Sequence, residues 1–248
     1  MGQPILRFEA VSAEPGPGHE SGIWRVSFSL SPGELMIVRL EPAALHLPLA
    51  DAAQGLIAPK AGRVLFDGQT WADRSWDETA AARGSIGRVF GDGGWVRTLD
   101  LESNITLAAR HHTRRPAAEI RDEAATLARA FSLPGLPRAR PSAVGRQDLL
   151  RAACVRAFLG RPKLILLEWL TAAGAGRQLL GPLMAAIRVA RKHGAAVLWL
   201  TDDAAVWSDR SITATSRGTM SGAQFIPMSA PASSTPVAPS VPAPVKGS

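Results

Sequence analysis

Two carboxylates stand at the ends of apolar runs. Glu168 follows Leu164-Ile165-Leu166-Leu167, and Asp202 follows Leu198-Trp199-Leu200-Thr201. Runs that are short, continuous and apolar suit strands buried on both faces. Acids at two neighbouring strand ends either repel, which raises the pKa of one, or face solvent or a nearby arginine. Other reactive side chains are weaker candidates. His111 and His112 are adjacent, so they point apart on a helix or strand, and no Cys, His or Asp lies at ligand spacing; no metal site is expected. His46 reads as a solvated loop residue. Cys154 is the sole cysteine and sits in an Ala-rich helical stretch, where it packs as a small apolar group. An internal disulfide is impossible, and a reducing compartment fits. Trp169 and Trp199, in or beside strand ends, read as core.

The elements that must carry these residues follow from periodicity. Val26 to Leu30 alternates as a half-buried strand, and Pro32-Gly33 marks a turn. Leu35 to Val38 is a continuous apolar run, Arg63 to Phe66 a strand closed by Asp67-Gly68, and Ile86 to Phe90 another strand. Ile120, Ala124, Leu127, Ala128 and Phe131 recur at helical spacing, with Pro134 and Pro137 beyond them. Further helices are predicted over Leu149 to Leu159 and Gln178 to Lys192, the latter stopped by Gly194. Strands Leu164–Leu167 and Ala196–Leu200 flank that last helix. Strands alternating with helices predict an α/β domain with a parallel sheet.

The chain has 248 residues, 46% of them hydrophobic, which suffices for one large domain. No apolar run reaches the roughly 18–20 residues that span a bilayer. Met1 to Val11 lacks a basic start followed by a long apolar stretch, so no secretory signal is expected. The net charge of +7 is spread over scattered arginines interrupted by acids. Solvated basic faces are the first reading, a membrane-facing bias the second; nucleic acid is not expected as a partner. From Met220 onward the composition turns to Pro, Ala, Ser and Val, so residues 220–248 are expected to be a disordered tail after a domain over 1–219.

From about Phe28 to Gly218 the order of these pieces resembles an ATP-binding-cassette (ABC) ATPase. Gly33-Glu34, Leu56-Ile57, Pro59, Gly62 and Val64 to Gly68 match the flanks of that family's phosphate loop, with ungapped spacing between them. The family pattern is Gly, four residues, then Gly-Lys-Ser/Thr, in which backbone N–H groups and the lysine hold phosphate and the hydroxyl holds magnesium. Here Leu40 and Leu45 stand for the glycines, His46 for the lysine and Leu47 for the hydroxyl. Pro42 and Pro48 remove two N–H donors, and Glu41 adds a negative charge.

The remaining motifs differ in the same sense. Val89-Phe90 is followed by Gly91 where the resemblance implies a glutamine. The Leu-Ser-Gly-Gly-Gln signature aligns with Val144 to Asp148, which includes Gly145. Glu168 stands for the magnesium-binding aspartate and Trp169 for the catalytic glutamate; an indole accepts no proton from water. Asp202 stands for the switch histidine, where its charge would repel a γ-phosphate. The stretch Phe90 to Arg115, with Leu101-Glu102-Ser103-Asn104-Ile105, looks like the ATPases of MCE-type lipid importers.

The resemblance implies a P-loop NTPase-like parallel sheet with an antiparallel β subdomain and a helical subdomain at about 105–160. It implies ATP and magnesium as family ligands, which the changed residues predict are not bound. It also implies an ABC permease and a second ATPase-like subunit as partners, with a homodimer as one form. The expected location is cytoplasmic, peripheral on the inner membrane. Trp95, Arg97 and Arg110 are the exposed positions expected to meet a partner. The resulting expectation is a catalytically inactive ABC-type subunit of a transport complex, of the MCE lipid type; the alternative is a free-standing regulatory or scaffold protein derived from one.

Overall fold

The structure, a computed structural model, describes residues 2–41, 46–91, 93–168 and 176–228. Its strands are β1 (Leu6–Ala13), β2 (Ile23–Leu30), β3 (Leu35–Leu40), β4 (Ala61–Phe66), β5 (Gln69–Thr70), β6 (Ile86–Val89), β7 (Leu164–Glu168), β8 (Ala196–Thr201), β9 (Ser216–Ser221) and β10 (Gln224–Met228). Its helices are α1 (Leu49–Ala53), α2 (Trp76–Gly84), α3 (Leu101–His112), α4 (Ala117–Ala130), α5 (Arg146–Phe158), α6 (Gly176–Lys192) and α7 (Ala204–Ser208). One sheet has the order β2-β1-β4-β5 and is antiparallel. The other has the order β10-β9-β3-β8-β7-β6 and is parallel except for its β9–β10 edge.

Alternation along the parallel strands divides the core in two. Leu164, Leu166, Ala196, Leu198 and Leu200 face the antiparallel sheet and α1. Ile165, Leu167, Val197 and Trp199 face the opposite layer, with α3, α4, α5 and α6. Strands β7 and β8 bury both faces, which is why these two segments read as unbroken apolar runs. Gly87 shows how close the layers come: a Cβ there would lie 1.8 Å from the carbonyl oxygen of Ala157 in α5.

The α/β class, the parallel sheet, the antiparallel subdomain and the helical layer agree with the sequence reading. Two boundaries move. The helical layer begins before 105, because Asp100 caps α3 by accepting from the Ser103 N–H at 2.7 Å. The expected tail also starts too early at 220. Met220 is fully buried, and β10 pairs antiparallel with β9 through five residues, Gln224 to Met228. Phe225 packs on Phe28, ring centroids 5.4 Å apart, and Phe28 stacks on Phe8. Partial burial of the Phe225 ring and the β9–β10 ladder offset the ordering of a segment whose composition alone reads as a tether. Residues 229–248 lie outside the described residues.

Candidate functional site

The site lies where α1 meets the C-terminal ends of β6 and β7. In β6, Gly87 and Val89 turn toward α5, so Ile86 and Arg88 turn the other way, toward α1. In β7, Leu164 and Leu166 face that same side, and so does Glu168 two residues on. Arg88 pairs with Leu166 in register, which makes Glu168 its diagonal neighbour on one face. Long side chains at such a diagonal reach each other.

Arg88 reaches four acceptor oxygens on three residues. Its Nε and Nη2 donate to the two carboxylate oxygens of Glu168 at 3.1 and 2.8 Å, a bidentate fork. Its Nη1 donates to Asp51 Oδ1 at 2.5 Å and to Gln54 Oε1 at 2.8 Å. Four of the five guanidinium N–H groups are thereby used. The guanidinium also lies 4.4 Å from the centroid of the Phe90 ring. The Arg88 side chain is 7% exposed and that of Glu168 11%. Burial is the first cause acting on the Glu168 carboxyl and pushes its pKa up; Arg88 pulls against it, Asp51 adds to it, and the balance is a raised value. The Gly91 backbone also hydrogen-bonds to Glu168 and pulls its pKa down.

Asp51 is placed by α1, whose other residues Leu49, Ala50, Ala52 and Ala53 are all in the core. The far end of α1 is capped from α2: Arg83 donates to the carbonyls of Gln54 at 3.1 Å and Gly55 at 2.6 Å. His19, from the β1–β2 connection, brings Nε2 to 3.2 Å from Asp51 Oδ2. Its Nδ1 is buried with no hydrogen-bond partner among the described residues.

The residues that the resemblance aligns with the phosphate loop lie close by. Leu40 and Leu47 are 3% and 7% exposed, both in the core beside α1. Pro48 is the N-cap of α1 and makes no side-chain cap. His46 is exposed, and its Nε2 lies 3.8 Å from Glu20. Leu45 and Trp169 lie outside the described residues. Gly145 is exposed and serves as the N-cap of α5, where an added Cβ would meet nothing within 4 Å. Asp202 is exposed. Glu168 and Asp202 are therefore not the repelling pair; the arginine partner is the alternative that holds for Glu168, and solvent for Asp202.

Sequence reasoning missed Arg88, Asp51, Gln54 and His19. The available signal was Arg88 itself: a charge inside an otherwise apolar parallel strand needs a buried partner.

The segment expected to meet a partner is pinned from two sides. Arg156 in α5 donates to the carbonyls of Gly93 and Gly94 at 2.7 and 2.8 Å and lies 4.4 Å from the centroid of the Trp95 ring. Asn104 in α3, 3% exposed, accepts from the Val96 N–H and donates to the carbonyls of Val96, Leu99 and Asp100. Trp95 is therefore half-buried against the helical core, which corrects the expectation that it is exposed. Arg97 and Arg110 are exposed. Among the described residues no group of three or more His, Cys, Asp or Glu is arranged to hold a metal. None of the described helices is long and apolar enough to cross a membrane.

No protein-family model matches the chain. Among curated proteins it is 26% identical over 148 residues to the putative hemin import ATP-binding protein HrtA of Staphylococcus haemolyticus, covering 60% of this chain and 66% of that protein. It is 26% identical over 149 residues to the probable ribonucleotide transport ATP-binding protein mkl of Mycobacterium leprae, covering 60% of this chain and 43% of that one. It is 28% identical over 114 residues to the intermembrane phospholipid transport system ATP-binding protein MlaF of Escherichia coli, covering 46% and 42%. These matches thus span less than two thirds of the relatives' own lengths. Among solved structures, the ATP-binding subunit of an ABC transporter superposes with a TM-score of 0.74 at 19% identity, covering 89% of this chain and 87% of that one. The dimeric bacterial ABC transporter cassette MJ0796 gives 0.75 at 18% identity, covering 88% and 95%. The chain therefore has the fold of an ABC ATPase, and its relatives and structural neighbours are ATP-binding subunits of ABC transporters.

Proposed function

We propose that the chain is a non-hydrolysing ABC-ATPase-like subunit of a membrane transport complex, working at the cytoplasmic face of the inner membrane. The observation that carries this reading is the state of the phosphate-loop positions. Where a hydroxyl would hold magnesium, Leu47 is core. Where a carboxylate would face the ion, Glu168 is clamped by Arg88. Where backbone N–H groups would open a helix toward phosphate, Pro48 supplies none. These residues do not fit a magnesium nucleotide, and no hydrolytic step is assigned to them.

The transport role is supported by relatives named as transport ATP-binding proteins, one of them for phospholipid. A lipid cargo is the substrate class we favour, with a permease and a second ATPase-like subunit as partners. The role of the chain is then mechanical: the helical layer and the pinned 93–100 segment offer a permease a fixed surface, with Arg97 and Arg110 at its exposed positions. Extraction of the native host's membranes in detergent should recover the chain together with a permease. Arg97→Ala with Arg110→Ala should release it while leaving its melting temperature unchanged, because neither side chain is buried. A chain recovered alone in the soluble fraction would contradict the transport reading and favour the free-standing scaffold.

A further inference from the structure

Arg88 sits at the centre of an oxygen cage. Asp51 Oδ1, Gln54 Oε1 and both carboxylate oxygens of Glu168 lie within 2.5 to 3.1 Å of its nitrogens, and these ligands come from α1, its C-terminal end and β7. Two carboxylates and an amide oxygen gathered around one buried guanidinium are donors of the kind that hard divalent cations also accept. Here the centre is filled by a side chain of the same molecule. Asp51 projects from α1, whose other residues are packed in the core, and Glu168 from the end of β7, beside β8. Without a cation between them, two acids whose side chains are only 21% and 11% exposed would repel each other.

We propose that the Arg88 guanidinium is the resident cation of this site: it takes a divalent ion's place among these oxygens and holds α1 against the β6–β7 strand ends without any ligand. The site is thereby fixed in one state. His19 extends the staple to the β1–β2 connection through Asp51, so the cluster ties both sheets to α1.

The inference rests on the reading that no magnesium nucleotide occupies this region, and its test is separate. The full chain and its Arg88→Ala variant are compared by thermal melting and calorimetry with MnCl2 alone, no nucleotide present. The native chain should show no bound manganese and no change in melting temperature. The variant should melt lower by on the order of 10 °C, as expected when one partner of a buried ion pair is removed. Manganese at millimolar concentration should restore several degrees of that loss, with one equivalent bound. Adding Glu168→Gln to the variant should weaken that binding at least tenfold. An Arg88→Ala chain that melts like the native one, or that ignores manganese, overturns the proposal. So does a native chain that binds one equivalent lost on Glu168→Gln. Where Arg88→Ala does not fold, Arg88→Lys carries the test. An ammonium keeps the charge without the fork, so it should fold, melt below the native chain and bind no manganese; native-like melting of Arg88→Lys overturns the claim. Failure of the nucleotide reading would show as Mg-ATP binding to the native chain, whatever manganese does to the variants.

Discussion

Cys154 illustrates how burial settles the chemistry of a single side chain. It lies on the face of α5 that enters the helical core, wholly removed from solvent. Burial pushes its thiol pKa up to about 12, only partly opposed by Arg156. The thiolate is the reactive form, so the native chain should resist a thiol reagent at pH 8 and react fully once unfolded. Its labelling rate then reports opening of the helical core. Rapid stoichiometric labelling of the folded chain would contradict the placement. The sequence reading of Cys154 as a small core group agrees with this, as does the core placement of Trp199. Arg88 was the residue whose role stayed hidden. A strand pattern records that a position alternates inward, and it does not record which distant acid waits there. Asp51 lies 37 positions upstream and Glu168 80 downstream, so only the fold brings them together.

Among the elements, those with a strong apolar period were legible and those held by polar contacts were not. Strands β3, β7 and β8 and helix α4 follow directly from Leu, Ile, Val and Ala spacing, whereas β9, Ser-Arg-Gly-Thr-Met-Ser, has no such run. Helix α2 buries none of its residues, so no apolar period announces it; its start is written instead in a capping box, Ser75 with Glu78. Strand β10 was obscured by composition, because its Pro227 and the proline-rich residues after it look like a tether. Proline is tolerated there because β10 is an edge strand. Its role is measurable. A chain ending at Gly222 loses the β9–β10 ladder and uncovers Phe28, so it should melt several degrees lower, a loss of about 2–4 kcal/mol by the burial of one aromatic side chain and its ladder. A chain ending after Met228 should melt like the full one. Equal melting temperatures for all three would remove β10 from the folded unit.

At the scale of the whole molecule, the chain has the fold of an ABC ATPase, and the residues aligned with that family's phosphate loop differ from its Gly-Lys-Ser/Thr pattern. Two cores, one on each face of the parallel sheet, supply the stability. The region between α1 and the strand ends is filled by Leu40, Leu47 and an internal ion cluster. The family resemblance was visible in the order and spacing of the apolar elements. The central claim, that this fold stands without a nucleotide, is tested most directly by melting the full chain and its His46→Lys variant in rising Mg-ATP. A ligand at 100 times its dissociation constant stabilises by about 2.7 kcal/mol, roughly 5–10 °C for a domain of this size. Both curves should stay flat to several millimolar, the variant included, since a single lysine leaves Leu47 and Pro48 in the core and Glu168 bound to Arg88. A saturable rise in melting temperature for the native chain would contradict the account.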